Sequence, residues 1–332
     1  MVSARESFSG ITSRTPFSLP NPRRIYLTIA GVALVAAFAC GGRSPVAQPS
    51  NLETTRFVSQ APSSGSDTDR GALVGTLAGA GDIAVCGSGN VGAVGTARLL
   101  DQIPGTIFTA GDNAYPMGTA KDYQNCYDPT WGRHRSRTRP SPGNHEYESG
   151  GAAYFDYFGA SAGPRGLGYY SYTIGSWRVL SLNSEAPTGP GSPQGEWLRS
   201  ELAGDRSPCT LAYWHRPLFS SGKIGDNLDM RELWDTLYAA KVDVVINGHD
   251  HLYERFAPQD PEGRLDTVQG IREFIVGTGG APLSGISHVH NNSQALATVW
   301  GVAVFSLYER GYDWRFLPSS EDFEDSGSSA CH

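Results

Sequence analysis

The sequence predicts an α/β protein, with layers of helix and sheet and at least one mixed sheet. Three observations lead there. Apolar, strand-like runs alternate with helix-like segments through the middle of the chain. Glycine and proline, 41 and 21 of the 332 residues, punctuate the junctions. Polar residues of ligand type stand directly after the apolar runs, and in α/β sheets the crevice beyond the carboxyl ends of strands is where ligands bind.

The N-terminus reads as a segment outside the fold. Arg14, Arg23 and Arg24 precede "IYLTIAGVALVAAFA", residues 25–39, which is short for a membrane span and suits the core of an export signal. "PRRIYLT" resembles a twin-arginine signal. "AFAC" resembles a lipoprotein box with Cys40 as the lipid anchor, although Phe38 is bulkier than such a box usually carries. Residues 1–40 are therefore expected to be an export signal, and the protein extracytoplasmic. Residues 41–72 are rich in Ser, Pro, Gly, Asp and Thr without periodicity and read as a disordered linker. Residues 73–318 form the globular domain, and 319–332 an acidic, polar tail.

Within the domain, "ALVGTLAGAGD" reads as a buried strand ending at Asp82, and "GTIFTAGD" as another ending at Asp112. "GAVGTARLLDQI" between them is helix-like. "YYSYTIGSWRVLSLN" reads as a hairpin turning at Gly175 and Ser176. "SPQGEWLRSELAG" is a helix with Ser192 as N-cap and Gly204 as stop. "CTLAYWHRP" is a strand reaching His215, "NLDMRELWDTLYAAK" a helix, and "VDVVINGHDH" a strand running into a loop. "REFIVGTGG", "GVAVFSLYER" and "YDWRFLP" supply further strands.

Composition narrows the function. Hydrophobic residues at 39% and charged residues at 18% describe a globular chain. A net charge of −7 argues against nucleic acid as partner, which would need a basic footprint.

Five short motifs carry chemistry: "GDIA" with Asp82, "GDNAY" with Asp112 and Tyr115, "GNHE" with Asn144 and His145, "YWHRP" with His215, and "GHDH" with His249 and His251. Singly each is weak, since Gly-Asp also occurs in simple turns. As an ordered set they are specific. The set resembles the metallophosphoesterase superfamily and, within it, the purple acid phosphatases, over about residues 75–318. That resemblance implies a four-layer αββα sandwich of two mixed sheets flanked by helices. It also implies two metal ions. Asp82, Asp112, Tyr115 and His251 would hold one, and Asp112, Asn144, His215 and His249 the other, with Asp112 bridging.

Ligand hardness agrees with this division. Carboxylates and a phenolate suit Fe(III); two imidazoles and an amide suit Zn, Mn or Fe(II). Three ligand negative charges against five metal positive charges leave a formal excess of about +2, which attracts a phosphate dianion and acidifies a bound water. The implied activity is hydrolysis of small phosphomonoesters by a metal-activated hydroxide. A metal-dependent phosphodiesterase is the alternative on the same fold. His145 is implied as a phosphate contact or proton donor to the leaving group.

Two positions depart from the family pattern. Ala84 stands where the first motif usually ends in glycine. Ile224 stands where many relatives carry a further histidine, which leaves Arg216 or Lys223 to supply positive charge to the substrate.

Rival readings explain less. "GSGNVG", Gly87–Gly92, matches a dinucleotide-binding pattern, but a nicotinamide oxidoreductase leaves "GNHE" and "GHDH" unexplained. "GASAG" matches a serine-hydrolase elbow, but Pro164 and Gly166 spoil the helix such an elbow needs. A non-catalytic surface binding protein would not require the complete ligand set. Export makes disulfides plausible among Cys86, Cys126, Cys209 and Cys331, which allow three pairings. Cys86 and Cys126 each follow a metal-loop motif, which favours Cys86–Cys126 with Cys209–Cys331. The remaining expectation is membrane contact only through the N-terminal anchor.

Overall fold

The computed structural model describes residues 70–87, 90–204, 206–320 and 322–332. The export signal, Arg23 and Arg24, Cys40, and the linker up to residue 69 lie outside the described residues, as do Ser88 and Gly89 of the glycine-rich decoy. The described residues all belong to the compact unit Thr54–His332.

In chain order the strands are β1 (Leu73–Ala80), β2 (Ala84–Val85), β3 (Thr106–Ala110), β4 (Ala114–Tyr115), β5 (Thr138–Ser141), β6 (Tyr170–Ile174), β7 (Trp177–Ser181), β8 (Cys209–Tyr213), β9 (Val244–Asn247), β10 (Tyr253–Phe256), β11 (Arg272–Val276), β12 (Ser293–Ala297), β13 (Gly301–Tyr308), β14 (Gly311–Pro318) and β15 (Asp325–Ala330). The helices are α1 (Val91–Leu100), α2 (Ala120–Asp122), α3 (Asn144–Glu148), α4 (Ala152–Phe158), α5 (Pro193–Ala203) and α6 (Arg231–Ala239).

Two mixed sheets result, as expected. The first runs β15-β14-β13-β1-β3-β5 and the second β12-β10-β11-β9-β8-β7-β6; β2 and β4 form a separate pair. Strands β1, β3 and β5 are parallel, as are β7, β8, β9 and β11.

Period-2 alternation explains the layering. Val179, Leu211, Tyr213, Val244 and Ile246 face the first sheet and join its core, where Phe108 meets Tyr213 at 5.7 Å between ring centres and Phe274 meets Phe305 at 5.0 Å. Their neighbours Leu180, Ala212 and Val245 face the opposite way, against Leu198, Leu233, Trp234 and Leu237 of α5 and α6. On the far side, α1 buries Ala93, Ala97 and Leu100 in the core that the first sheet supplies. Each large apolar side chain removed from water in this way contributes about 1.5–3 kcal/mol. Helix α5 starts as its sequence predicts: Ser192 Oγ accepts from Gly195 N at 3.1 Å, and Pro193 occupies the first turn.

One boundary differs from the sequence reading. Residues 319–332, read as a polar tail, contain β15, which pairs with β14 as the edge strand. Asp325 is 1% exposed, and its carboxylate accepts from Arg255 at 2.8 and 2.9 Å, Tyr253 at 2.7 Å and Trp314 at 3.1 Å. Of the four acidic residues in this stretch, Asp325 faces inward and closes a buried ion pair, while Asp322 and Glu324 are exposed. Cys331 follows, bonded to Cys209 at the start of β8 with a Cα separation of 5.5 Å, and Cys86 is bonded to Cys126 at 5.1 Å. Both favoured disulfides are therefore present.

Candidate dinuclear metal centre

The strand ends deliver the polar residues to one place. Asp82 follows β1, Asp112 follows β3, and Asn144 opens α3 just beyond β5. From the second sheet, His215 follows β8, and His249 and His251 lie between β9 and β10. The site thus occupies the seam between the two sheets, at the carboxyl ends of their parallel strands.

Each carboxylate is fixed by one oxygen and offered by the other. Asp82 Oδ2 accepts from the backbone N–H of His249 at 2.8 Å, while Oδ1 meets the Tyr115 hydroxyl at 2.8 Å and His251 Nε2 at 3.1 Å. Asp112 Oδ1 accepts from His145 N at 2.9 Å, while Oδ2 meets Tyr115 at 3.0 Å and His215 Nε2 at 3.2 Å. His215 Nε2 also lies 3.1 Å from both Asn144 Oδ1 and His249 Nδ1. Such separations between lone-pair atoms are those of ligands around a small cation, whose own bonds to N and O run about 2.0–2.2 Å.

Second-layer contacts set the tautomers. His215 Nδ1 donates to the Ala110 carbonyl at 2.8 Å, and His251 Nδ1 to that of Pro282 at 2.7 Å, so both rings direct Nε2 at the carboxylates. Asp82, Asp112 and His249 hold φ values of +58°, +48° and +73°. These are three of the five non-glycine residues with positive φ among the described residues. Each conformation costs of order 1–3 kcal/mol and persists because the surroundings dictate it.

The motif glycines have a matching reason. A Cβ on Gly248 would stand 2.6 Å from Asp82 Oδ2, and one on Gly111, at φ +79°, would stand 2.6 Å from the His215 ring.

Electrostatics show how strongly these groups are coupled. Burial alone would depress the His215 imidazolium, yet Asp112 overrides it and pushes its pKa up to about 10. His251 is half-buried, which would also lower its pKa, and Asp82 brings it up to about 9. His249 is pushed down to about 3 by burial and by the neighbouring His215 charge. Tyr115 is held well above its ordinary value by burial and by Asp82 and Asp112, so its phenol ionises only beside a strong cation. In the protein alone, protons on His215 and His251 balance the carboxylates. A pair of metal ions would supply the same balance and displace them. Asp82, Asp112 and His215 present ligand atoms within 4.8 Å of one another. The residues present fit a metal centre.

His145 stands apart from this set. Its Nε2 is 3.7 Å from Asp112 Oδ2, its side chain is 28% exposed, and its Nδ1 donates to the Pro116 carbonyl. The ring lies 4.4 Å from that of Tyr115. Arg216 Nη1 is 3.3 Å from His249 Nε2, whereas Lys223 is exposed and forms no hydrogen bond or ion pair with a site residue. Ile224 is 57% exposed, and its N–H bonds Asp250 Oδ1 at 2.9 Å. Ala84 is fully buried and pairs with Ala114 between the two aspartate loops.

Comparison with known proteins places this geometry. The profile of the calcineurin-like phosphoesterase family matches residues 77–253, more than half of the chain. The chain belongs to the calcineurin-like phosphoesterase family. Within it, probable purple acid phosphatase 20 of Arabidopsis thaliana is 30% identical over 162 residues, covering 41% of this chain and 38% of the relative. Purple acid phosphatase 22 of the same plant is 35% identical over 182 residues, covering 49% and 42%. This phosphoesterase chain therefore spans about two-fifths of the length of those relatives. The structure of a purple acid phosphatase from yellow lupin seeds shares its fold, with a TM-score of 0.65 at 19% identity over 78% of this chain and 54% of that one. Purple acid phosphatase kinship implies a dinuclear centre, and Asp82, Asp112 and His215 form a possible metal site in this chain.

Carboxylates outside the candidate ligand set hold this phosphoesterase site together. Glu146 accepts from Gly143 N at 2.8 Å, Asn113 N at 2.9 Å and the Tyr123 hydroxyl at 3.1 Å, tying the second and third motifs to each other. Asp250 receives Ser220, Ile224 and Gly225, at 2.7, 2.9 and 3.0 Å. Neither carboxylate binds the His145 ring. Glu185 accepts from Arg216 Nε at 2.7 Å. It lies past the carboxyl end of β7, so the strand-end rule that found the ligands could also have found it. "GASAG" is a 3-10 turn, with Ser161 at no strand–helix junction.

Proposed function

We propose that the protein is an exported, dinuclear-metal phosphatase acting on phosphomonoesters. The observation that carries this reading is the meeting of two carboxylates, three imidazoles, an amide and a phenol at one seam, beside a partly exposed histidine and an arginine. Asp82, Asp112, Tyr115 and His251 would hold one ion, as Fe(III). Asp112, Asn144, His215 and His249 would hold the other, as Zn, Mn or Fe(II). When bound, the ions supply positive charge for the phosphate and acidify a water to serve as nucleophile.

The remaining chemistry belongs to the chain. His145 has its Nδ1 proton committed to Pro116, so Nε2 is the end free to hold a proton near the leaving oxygen. Asn144 lends a neutral oxygen, which preserves the positive charge that binds phosphate. With His249 Nδ1 serving as ligand, its Nε2 carries the proton and offers Arg216 no lone pair. Glu185 then remains as the guanidinium's anchor, and the open donors face the phosphate. Both disulfides support an oxidising compartment. Among the described residues no helix is long and apolar enough to cross a membrane.

The test is hydrolysis by metal-loaded protein of an aryl phosphate monoester against the matching diester. Monoester turnover at least tenfold faster supports the reading. Preference for the diester shifts it to a phosphodiesterase, and turnover of neither refutes it. A visible tyrosinate–iron absorption that disappears in Tyr115→Phe supports the assigned Fe(III) side.

A further inference from the structure

A cavity of about 700 Å³ opens beside the candidate centre and has no role in the chemistry above. Arg216 joins the two, since it reaches His249 and also lines the cavity wall. Glu185 stands in the same wall and neutralises it, with Nε–Oε1 at 2.7 Å and Nη2–Oε2 at 3.3 Å. Asp229 and Glu232 line the cavity as well, and among the described residues neither side chain has a cationic partner. The nearest cation in sequence, Arg231, is turned to the Pro261 carbonyl at 2.6 Å and to Glu262 at 3.8 Å. Leu228, 67% exposed, adds apolar surface.

The charges of this corner are therefore arranged in order. A phosphate-attracting centre is followed by a neutralised Arg–Glu pair, and then by a wall with two uncompensated carboxylates. A ligand spanning them fits best with its anion at one end and a cation at the other. A second anionic group on an alcohol seated in this cavity would meet Asp229 and Glu232 in its wall, where screening, set by a Debye length of about 8–10 Å, is incomplete.

We propose that the cavity receives the alcohol portion of the ester and selects leaving groups carrying a positive charge, such as amino alcohols, over those carrying a further anion. This rests on the phosphatase reading. The experiment compares kcat/KM of the metal-loaded full chain for phosphocholine and for 3-phosphoglycerate, in the wild type and in Asp229→Asn/Glu232→Gln. A companion measurement is saturation-transfer NMR of choline alone with the metal-free chain.

The wild type should favour the cationic ester by more than tenfold, and the double variant should lower that ratio about tenfold. Glu232→Lys should lower it further, and provides a second variant should the first fold poorly. Choline contacts seen with the wild type should vanish in the variants. Hydrolysis of both esters with a ratio near one, or with a ratio unchanged in the variants, overturns the cavity assignment and leaves the phosphatase reading standing. Choline binding that depends on the two carboxylates, without hydrolysis of any ester, overturns the phosphatase reading and supports the cavity's selectivity.

Discussion

One glycine decides how tightly the centre is drawn. Gly248 has no room for a side chain, because its Cβ would fall 2.6 Å from Asp82 Oδ2 and from the Ala110 carbonyl. Gly248→Ala must therefore displace His249 or Asp82, and misplacement by an ångström costs about 10²-fold in rate. Metal content measured alongside kcat/KM should show both falling; an unchanged kcat/KM would contradict the packing argument. His145 differs, being partly exposed and outside the candidate ligand set. His145→Gln is expected to lower kcat by roughly 10²–10⁴-fold with metal content retained. Loss of metal in that variant would make His145 a ligand instead. At this scale the sequence was informative about ligand types, because carboxylate, imidazole and amide chemistry shows in residue identity. It placed Glu146 and Asp250 inside the motifs without showing their roles, which are to accept from backbone N–H groups and from the Tyr123 and Ser220 hydroxyls. Such roles depend on which loop folds back, and no residue type reports that.

Among the elements, β15 shows what composition conceals. "DSGSSA" has few apolar residues and alternates only weakly, so the edge strand reads as tail. Its position is set by Asp325, whose partner Arg255 lies 70 residues away in sequence. Removing one member of a buried, bidentate pair costs about 3–5 kcal/mol, so Asp325→Ala should lower stability by that order in urea unfolding. The sign of its pH dependence follows from the carboxyl's pKa. Burial would raise it, but the Arg255, Tyr253 and Trp314 hydrogen bonds lower it overall. The stabilisation is complete above the unfolded value, about 3.9, and is lost as pH falls through the lower folded value. Acid unfolding of Asp325→Ala should accordingly lack that part of the drop below about pH 4. Strands β10 and β12, of four and five residues, also escaped the sequence reading, because "YERF" and "SQALA" interrupt their apolar residues with charged or polar ones. Strands β3, β8, β9 and β11 are as short and did not, since each carries a largely apolar run.

For the whole molecule, the decisive feature is that neither sheet holds the candidate centre alone. The loops after β1, β3 and β5 contribute Asp82, Asp112 and Asn144, the separate β2–β4 pair contributes Tyr115, and the second sheet contributes His215, His249 and His251. The chain order of the motifs made this constellation legible, but not that it spans a seam. Ions bound there would link the two sheets, and a ligand that binds only the folded state stabilises it by mass action. Chelation should lower the melting temperature by several degrees, and reloading should restore it. Disulfide reduction should add a separate loss, about 2–5 kcal/mol for the Cys209–Cys331 link across 122 residues.

The most direct measurement is the metal stoichiometry of the purified chain and of Asp112→Ala, read together with hydrolysis of an aryl phosphate. A bridging Asp112 predicts about two metals per chain in the wild type, with metal and activity both lost in the variant. An active wild type holding one metal or none, or a variant that keeps two metals and full activity, would contradict it.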